Sequence, residues 1–434
     1  AQNDPIYPEQ FASEADAITH ILQCVQSLLI KETAQTSSPP AESNCEDSEN
    51  SCSQVPAAAH DSNAQPQTMP ECACDSCAAA APVHDVPETI HISDPALLYA
   101  LRRQLHFKDT LPRQQARHVR CLDLSGCGIR DIEPLAQFVS LETLYLQNNQ
   151  IQTIAPLENL MGLRSLNLES NQIADVAPLV RLMRLESLWL GNNHLTDISA
   201  LGTIRSLRRL YLQNNQIHTI DALSHNTALE QLSLRGNRLY RIDALHTLAQ
   251  LRILWVGQNH IRDLSPLKQC TALECLYLCQ NDVETLESLT ACTKLHTLLA
   301  GQNKICDTAP LRALPQLTTL SLYTNRLETL DGLAALENLI ALDVSENTIC
   351  DLTPLSSTKK LQMLLMKKNR VQDLSALASL QQLRVLDVRY NEVNDIRCLE
   401  QANTLTHILL TGNLVRPHAL RRLSKKLAHA KIEG

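Results

Sequence analysis

The chain has very few large aromatic side chains for its length, with three Phe and two Trp in 434 residues. Without those rings the interior has to be built from Leu, which points to one small unit repeated many times rather than a few ordinary domains. No run of about 18 apolar residues is present, so no membrane-spanning helix is expected. There is also no Gly-rich phosphate loop, no G-x-S-x-G and no H-E-x-x-H. The chain is therefore expected to be no enzyme and to need no cofactor. His194, His218 and His260 fall on variable surface-turn positions, where solvation is the ordinary role. No stripe of Lys and Arg dominates a face, which argues against a nucleic-acid partner. Positive charge is nearly missing from the N-terminal segment: residues 1–93 carry fourteen acidic side chains against the single Lys31. The rest of the chain is weakly basic, since the whole carries −8. The first residues, AQNDPIYPEQ, contain neither a basic cluster nor an apolar run, so no signal peptide is expected in them. Fifteen cysteines are present, nine of them from Val119 onward. An odd number scattered over repeat positions cannot form a framework and suggests free thiols in a reducing compartment. A cytoplasmic location is the expectation, with export or surface display as the alternative.

What is there is a repeat. From Val119 onward a 22-residue unit recurs without slippage, marked by Asn149, Asn171, Asn193 and so on to Asn413, with Cys127 one period before the first Asn. That makes fourteen units, the last incomplete, each reading L-x-x-L-x-L-x-x-N-x-I-x-D-I-x-P-L. One example runs through Leu163, Leu166, Leu168, Asn171, Ile173, Asp175, Val176, Pro178 and Leu179. The L-x-x-L-x-L run reads as a short strand whose alternate side chains face inward. The Asn can pair backbone groups left open where the chain bends away. Asp or Thr at the thirteenth position can cap a backbone turn, with Arg241 the exception. Pro or a small residue follows, and so short a unit leaves room only for turns or 3₁₀ segments on the return side. The expected fold is an α/β solenoid: a right-handed superhelix of repeats with a curved parallel sheet on its concave face and 3₁₀ turns on the convex side. Ala300 replaces a core Leu and is expected to be a weak point.

Both ends of such a stack need covers. Ser93-Asp94-Pro95 starts a helix with a cap residue and then Pro, and Leu97, Leu98, Leu101 and Leu105 give it an apolar face. At the other end Leu420, Leu423 and Leu427 line a basic amphipathic helix, and Ile432 can supply a last edge strand. The organisation expected is an acidic region over 1–92, a helical cap over 93–118, repeats over 119–416 and a cap helix over 417–434. Within the first region residues 13–30 read as an amphipathic helix, with a capping box at Ser13 and Asp16. Its apolar side carries Ile18, Ile21, Leu22, Val25, Leu28 and Leu29. Residues 32–88 lack large apolar groups and read as disordered.

The unit with its D-I-x-P-L ending resembles the bacterial internalin-type leucine-rich repeat. The stretch from Asp94-Pro95-Ala96-Leu97 to Leu122-Asp123-Leu124-Ser125-Gly126 looks like the helical cap that leads into such repeats. The resemblance covers about residues 93–432 and implies a protein-binding scaffold, since internalins bind host surface receptors through the concave sheet. It leaves two expectations: a protein-interaction scaffold inside the cell, or an exported virulence-type factor.

The third, fifth and seventh positions of each unit alternate with buried Leu and should face out of the sheet. The fifth position carries Tyr145, Trp189, Tyr211, Trp255 and Tyr277, including both tryptophans of the chain. Tyr323 adds a ring at a seventh position and Tyr390 one at an eighth. Clustered Trp and Tyr are the composition of an interface hot spot, although such rings can also simply shield a sheet. A second group, Lys367, Lys368 and Arg389 with Asp387, reads as a solvated charged face or as a steering contact. Cys72, Cys74 and Cys77, with His60 and His84 near, are weak candidates for Zn²⁺ or for redox use. Cys270 and Cys292 fall on one inward position of successive coils and read as small core residues. The partner expected is another protein, bound by a monomer.

Overall fold

The structure, a computed structural model, describes residues 88–434. The expected helix over 13–30, the segment over 32–87 and the cysteines Cys72, Cys74 and Cys77 lie outside the described residues.

Ahead of the repeats β1 (Thr89–Ile90) pairs antiparallel with β2 (Leu111–Pro112), and each unit then contributes a three-residue strand, from β3 (Cys121–Asp123) to β16 (His407–Leu409). The repeat strands all join one parallel sheet, whose fifteenth strand is β17 (Lys431–Glu433), the edge strand around Ile432. The register equals the repeat: Leu122 opposes Leu144 and Leu276 opposes Leu298. The same seven positions of every unit therefore stack in columns. In the unit from Leu163 the inward residues Leu163, Leu166, Leu168, Ile173, Val176, Leu179 and Leu182 are all buried. Each column is one aliphatic side chain per layer, which is how the interior closes without rings.

The Asn column joins coil to coil. Asn171 Oδ1 accepts from Ile151 N–H at 3.0 Å, while its Nδ2 donates to Leu146 O and Leu168 O, both at 3.0 Å. One amide thus satisfies an N–H and a carbonyl of the preceding coil together with a carbonyl of its own. The residue just before it turns the corner in a left-handed conformation, as at Asn148 (φ 60°) and Ser170 (φ 54°). Gly or Asn stands at that corner in only some of the units, such as Gly126 and Asn192. The thirteenth-position Asp caps the 3₁₀ segment that follows: Asp175 Oδ1 accepts from Ala177 N–H at 2.8 Å, ahead of Ala177–Arg181. Arg241 cannot do this and pairs with Asp243 instead, at 2.7 Å.

The second position carries a ladder of alternating charge: Arg120, Glu142, Arg164, Glu186, Arg208, Glu230, Arg252 and Glu274. Its ion pairs are Arg120–Glu142 at 3.2 Å, Arg164–Glu186 at 2.6 Å, Arg208–Glu230 at 2.8 Å and Arg252–Glu274 at 2.9 Å. Such exposed pairs contribute little each, roughly 0–1 kcal/mol. His296 ends the alternation.

A helix stands at each end of the sheet. Helix α1 (Pro95–Leu105) buries Leu97, Ala100 and Leu101. Its cap residue is Asp94, whose Oδ1 accepts from Ala96 N–H and Leu97 N–H. Asp94 Oδ2 accepts from Arg130 N–H and Asp131 N–H of the first coil, so one carboxylate fixes helix and repeat together. A short helix α2 (Arg113–Arg117) follows and leads into β3. Helix α3 (Pro417–Lys426) buries Leu423, with Leu427 buried just past its end.

Candidate protein-binding face

On the sheet face, the fifth-position residues of neighbouring strands stand side by side, one strand spacing of about 4.8 Å apart. That spacing is close to the separation at which aromatic rings stack. Trp189 and Tyr211 stack with centroids 5.6 Å apart and planes at 8°. Trp255 leans across the small Ser233 to within 6.2 Å of Tyr211, and stacks on Tyr277 at 5.5 Å and 13°. Four of the rings therefore form one continuous row over β6 (Ser187–Trp189) to β10 (Cys275–Tyr277), two stacked pairs joined by the tilted Tyr211–Trp255 contact at 41°. Tyr145 is separated from it by Asn167 and stands alone.

Tyr211 corrects the reading of the sequence. It was expected to project as a contact, yet it is buried, with 2% of its surface exposed. Rings on both sides cover its faces, and its hydroxyl donates to Gln231 Oε1 at 2.6 Å. Trp189, Trp255, Tyr277 and Tyr145 are partly exposed. Burial, with the neighbouring Cys275, holds the Tyr277 hydroxyl well above the usual range. Burial likewise pushes the Cys275 thiol up to about 11, and His296 Nε2 lies 3.9 Å from its Sγ. That thiol is protonated at neutral pH and is no nucleophile.

Beyond the stack, Tyr323 lies against Gly301, where a Cβ would come within 2.0 Å of the ring. Its hydroxyl donates to Gln302 Oε1 at 3.2 Å, and burial pushes its pKa up to about 12. Within the charged group near the C-terminal end, the Arg389–Asp387 pair is a second correction. Arg389 is bound to Asp387 at 2.7 Å, with side-chain exposures of only 14% and 7%, so the two form an interior ion pair and not a solvated steering face. Lys368 Nζ lies 2.7 Å from Glu346 Oε1, and Lys367 Nζ sits 5.7 Å from the centre of the exposed Tyr390 ring.

Two features of this face escaped the sequence reading. Glu169, a buried carboxylate, accepts from Asn192 Nδ2 and Gln213 Nε2, both at 3.0 Å. Asp343 carries the fifth position in β13 (Ala341–Asp343). Burial pushes its carboxyl up to about 6 and the charge of Asp387 adds to that, against hydrogen bonds from Ser345. In the interior, Cys270 and Cys292 are buried as expected, with thiols held up to about 12 and about 11 by burial. All nine cysteines of the described residues are free. Among these residues no group of three His, Cys, Asp or Glu is placed to hold a metal, and no helix is long and apolar enough to cross a membrane.

The family model for leucine-rich repeats (two copies) matches in overlapping stretches from residues 117–159 to 227–269. An internalin (InlF) of Listeria monocytogenes is similar in structure, at 28% identity and a TM-score of 0.67, over 78% of this chain and 94% of that one. A leucine-rich-repeat protein of Leptospira interrogans shares the fold at 22% identity and a TM-score of 0.63, over 74% and 97%. The functional domain of InlJ from Listeria monocytogenes does so at 20% identity and 0.67, over 79% of each chain. No curated protein sequence matches. The repeats and the sheet, with the family-model match and these likenesses, define a leucine-rich-repeat solenoid fold. Within that fold its likeness includes the bacterial internalin InlF.

Proposed function

We propose that the chain is a scaffold that binds a protein partner across its sheet face, with Trp189, Trp255 and Tyr277 as the main contacts and Tyr145 as an outlying one. Tyr211 supports the contacts from beneath, and Tyr323, Lys367, Lys368 and Tyr390 extend the surface. The observation that carries this reading is the ring stack itself. The aliphatic columns close the interior without it, and large rings held rigid by stacking lose little freedom on binding. From Tyr145 to Tyr277 is six coils, about 29 Å of sheet, enough for a standard interface of about 800 Å² per partner. Binding of this kind requires no catalytic residue and no cofactor.

The test uses the wild-type chain and Trp189→Ala/Trp255→Ala as paired baits, followed by titration of the purified partner retained by the first. Each single Trp change is expected to weaken binding by about 2 kcal/mol or more, while Arg181→Ala on the return side does nearly nothing. Equal affinity of the double variant and the wild type would place the site elsewhere. The free thiols support a reducing, cytoplasmic setting. The likeness to internalins favours the alternative of an exported factor that binds a host protein. Fractionation of the source cells and their medium separates the two.

A further inference from the structure

The turn just before each strand projects one side chain at its tip, the twenty-first position of the unit. In the middle of the solenoid these tips are polar or small: Thr227, Ala249, Thr271 and Thr293 follow one another. At the N-terminal end the row instead reads Arg117, Val139, Met161, Met183, Arg205. The three large apolar tips are about half exposed, at 50%, 52% and 55%. Folding does not need them there, because the neighbouring twentieth position already supplies the buried side chain, Leu160 and Leu182 in these coils.

Charge on this flank is unbalanced in one direction. Its carboxylates Glu142, Glu158 and Glu186 are each already paired, with Arg120 at 3.2 Å, Arg181 at 3.4 Å and Arg164 at 2.6 Å. Among the described residues, Arg117, Arg184 and Arg205 form no ion pair. Arg117 and Arg184 border a shallow polar depression that also holds His118, Ser140 and Gly162.

The geometry points to docking of this flank on an anionic lipid surface, with phosphate headgroups at the guanidinium groups and Val139, Met161 and Met183 entering the interface between them. A planar guanidinium suits a phosphate, and flexible apolar tips flanked by basic residues suit the headgroup boundary. The form of the patch selects a surface over a peptide. The apolar residues sit on separate turns in a row of about 19 Å, five tips at one strand spacing, and border two separate open depressions, Val139 with Arg117 and Arg184 and Met183 with Arg205, rather than one continuous groove. The inference is independent of the sheet-face proposal, since it uses none of its residues.

The experiment is co-sedimentation of the full chain with vesicles of phosphatidylcholine containing about one third phosphatidylserine, against pure phosphatidylcholine. Binding to the anionic vesicles that weakens with salt is expected. Arg117→Glu/Arg184→Glu should lower it by about tenfold or more, and Met161→Ser/Met183→Ser should lower it several-fold, about the loss of two shallow apolar contacts. Trp189→Ala and Lys359→Glu/Lys360→Glu should leave it unchanged. Circular dichroism checks that each variant folds, which exposed turn positions should permit. The inference is overturned by absence of binding to anionic vesicles, by binding that either flank variant leaves intact, or by an equal loss in the Lys359/Lys360 variant. A thermal shift with soluble glycerol phosphate in the absence of vesicle binding would also overturn it, leaving only a phosphate pocket.

Discussion

The side chain of Gln213 reaches back two coils, across Gly191, and donates to the buried carboxylate of Glu169 at 3.0 Å. Gly191 makes this possible, because a Cβ there would stand 2.4 Å from Gln213 Nε2. Gly191→Ala should therefore displace the amide and weaken a buried bond to a charged group, at a cost of roughly 1.5–3 kcal/mol. Urea denaturation gives the value. In a Gln213→Leu background the same change should cost far less, and an undiminished cost would show that the glycine serves something other than this bond.

Tyr211 and Trp189 are stacked neighbours with opposite expected roles. Tyr211→Ala removes a buried ring and should destabilise the fold by about 3–5 kcal/mol. Trp189→Ala removes a partly exposed ring and should lower the melting temperature much less. A thermal scan of the two variants that ranked them the other way would mean the stack is held from its outer ring.

The Asn column should behave as structure and not as surface. Asn259 donates to Leu234 O and Val256 O and accepts from Leu239 N–H, all at 3.0 Å. Asn259→Ala leaves the buried Leu239 N–H without a partner, at about 1–3 kcal/mol, and takes one of two amide donors from Leu234 O and Val256 O, which keep Asn237 and Asn281. A loss of about 3 kcal/mol is expected. Hydrogen exchange should quicken at Leu239 in particular, where the N–H is freed.

Asp343 makes stability depend on pH in a predictable direction. Its carboxyl titrates at about 6 in the folded chain against an ordinary 3.8. Between those values the folded state holds a proton that the unfolded state has lost. The stabilisation relative to an ordinary carboxyl is thus complete at low pH and is lost as pH rises from about 4 to about 6. Asp343→Asn keeps an acceptor for Ser345 N–H without the charge. It should be more stable than wild type at pH 7, on the order of 1–3 kcal/mol, and no different below about pH 4. Paired denaturation curves across that range check the sign.

What could be read in advance were features that each coil dictates for itself. Leu at the inward places, Asn at the bend and Asp before the 3₁₀ turn follow from one unit's own backbone needs, and repetition makes them plain. What could not be read depends on a neighbouring coil. Tyr211 occupies the same outward position as Trp189, and only the rings on both sides bury it. Arg389 looks like surface charge until Asp387, two residues earlier on the same strand, takes it inward. The Gln213–Glu169 bond spans 44 residues, and Gly191 was its sole mark in the sequence. The left-handed corner holds Gly126, Gly236 and Gly412 and three Asn, but elsewhere Ser, Gln, Thr, Glu, Lys and Tyr, so its residue signature is partial and the fold sets the conformation at the rest.

The alternating ladder of Arg and Glu has a bearing on how such a chain can lengthen or shorten. Its true period is two coils, so the first eight units have a parity. Excising residues 163–184 would bring Glu142 beside Glu186, like charge on like. Excising 163–206 would seat Glu142 beside Arg208 and leave the alternation whole. The shorter deletion should therefore be the less stable of the two at low salt, with the gap closing as salt screens the pair. By the same logic, the exchange that leaves the ladder's alternation intact in this half of the solenoid is a pair of coils. Past His296 the second-position alternation ends, and this parity no longer applies.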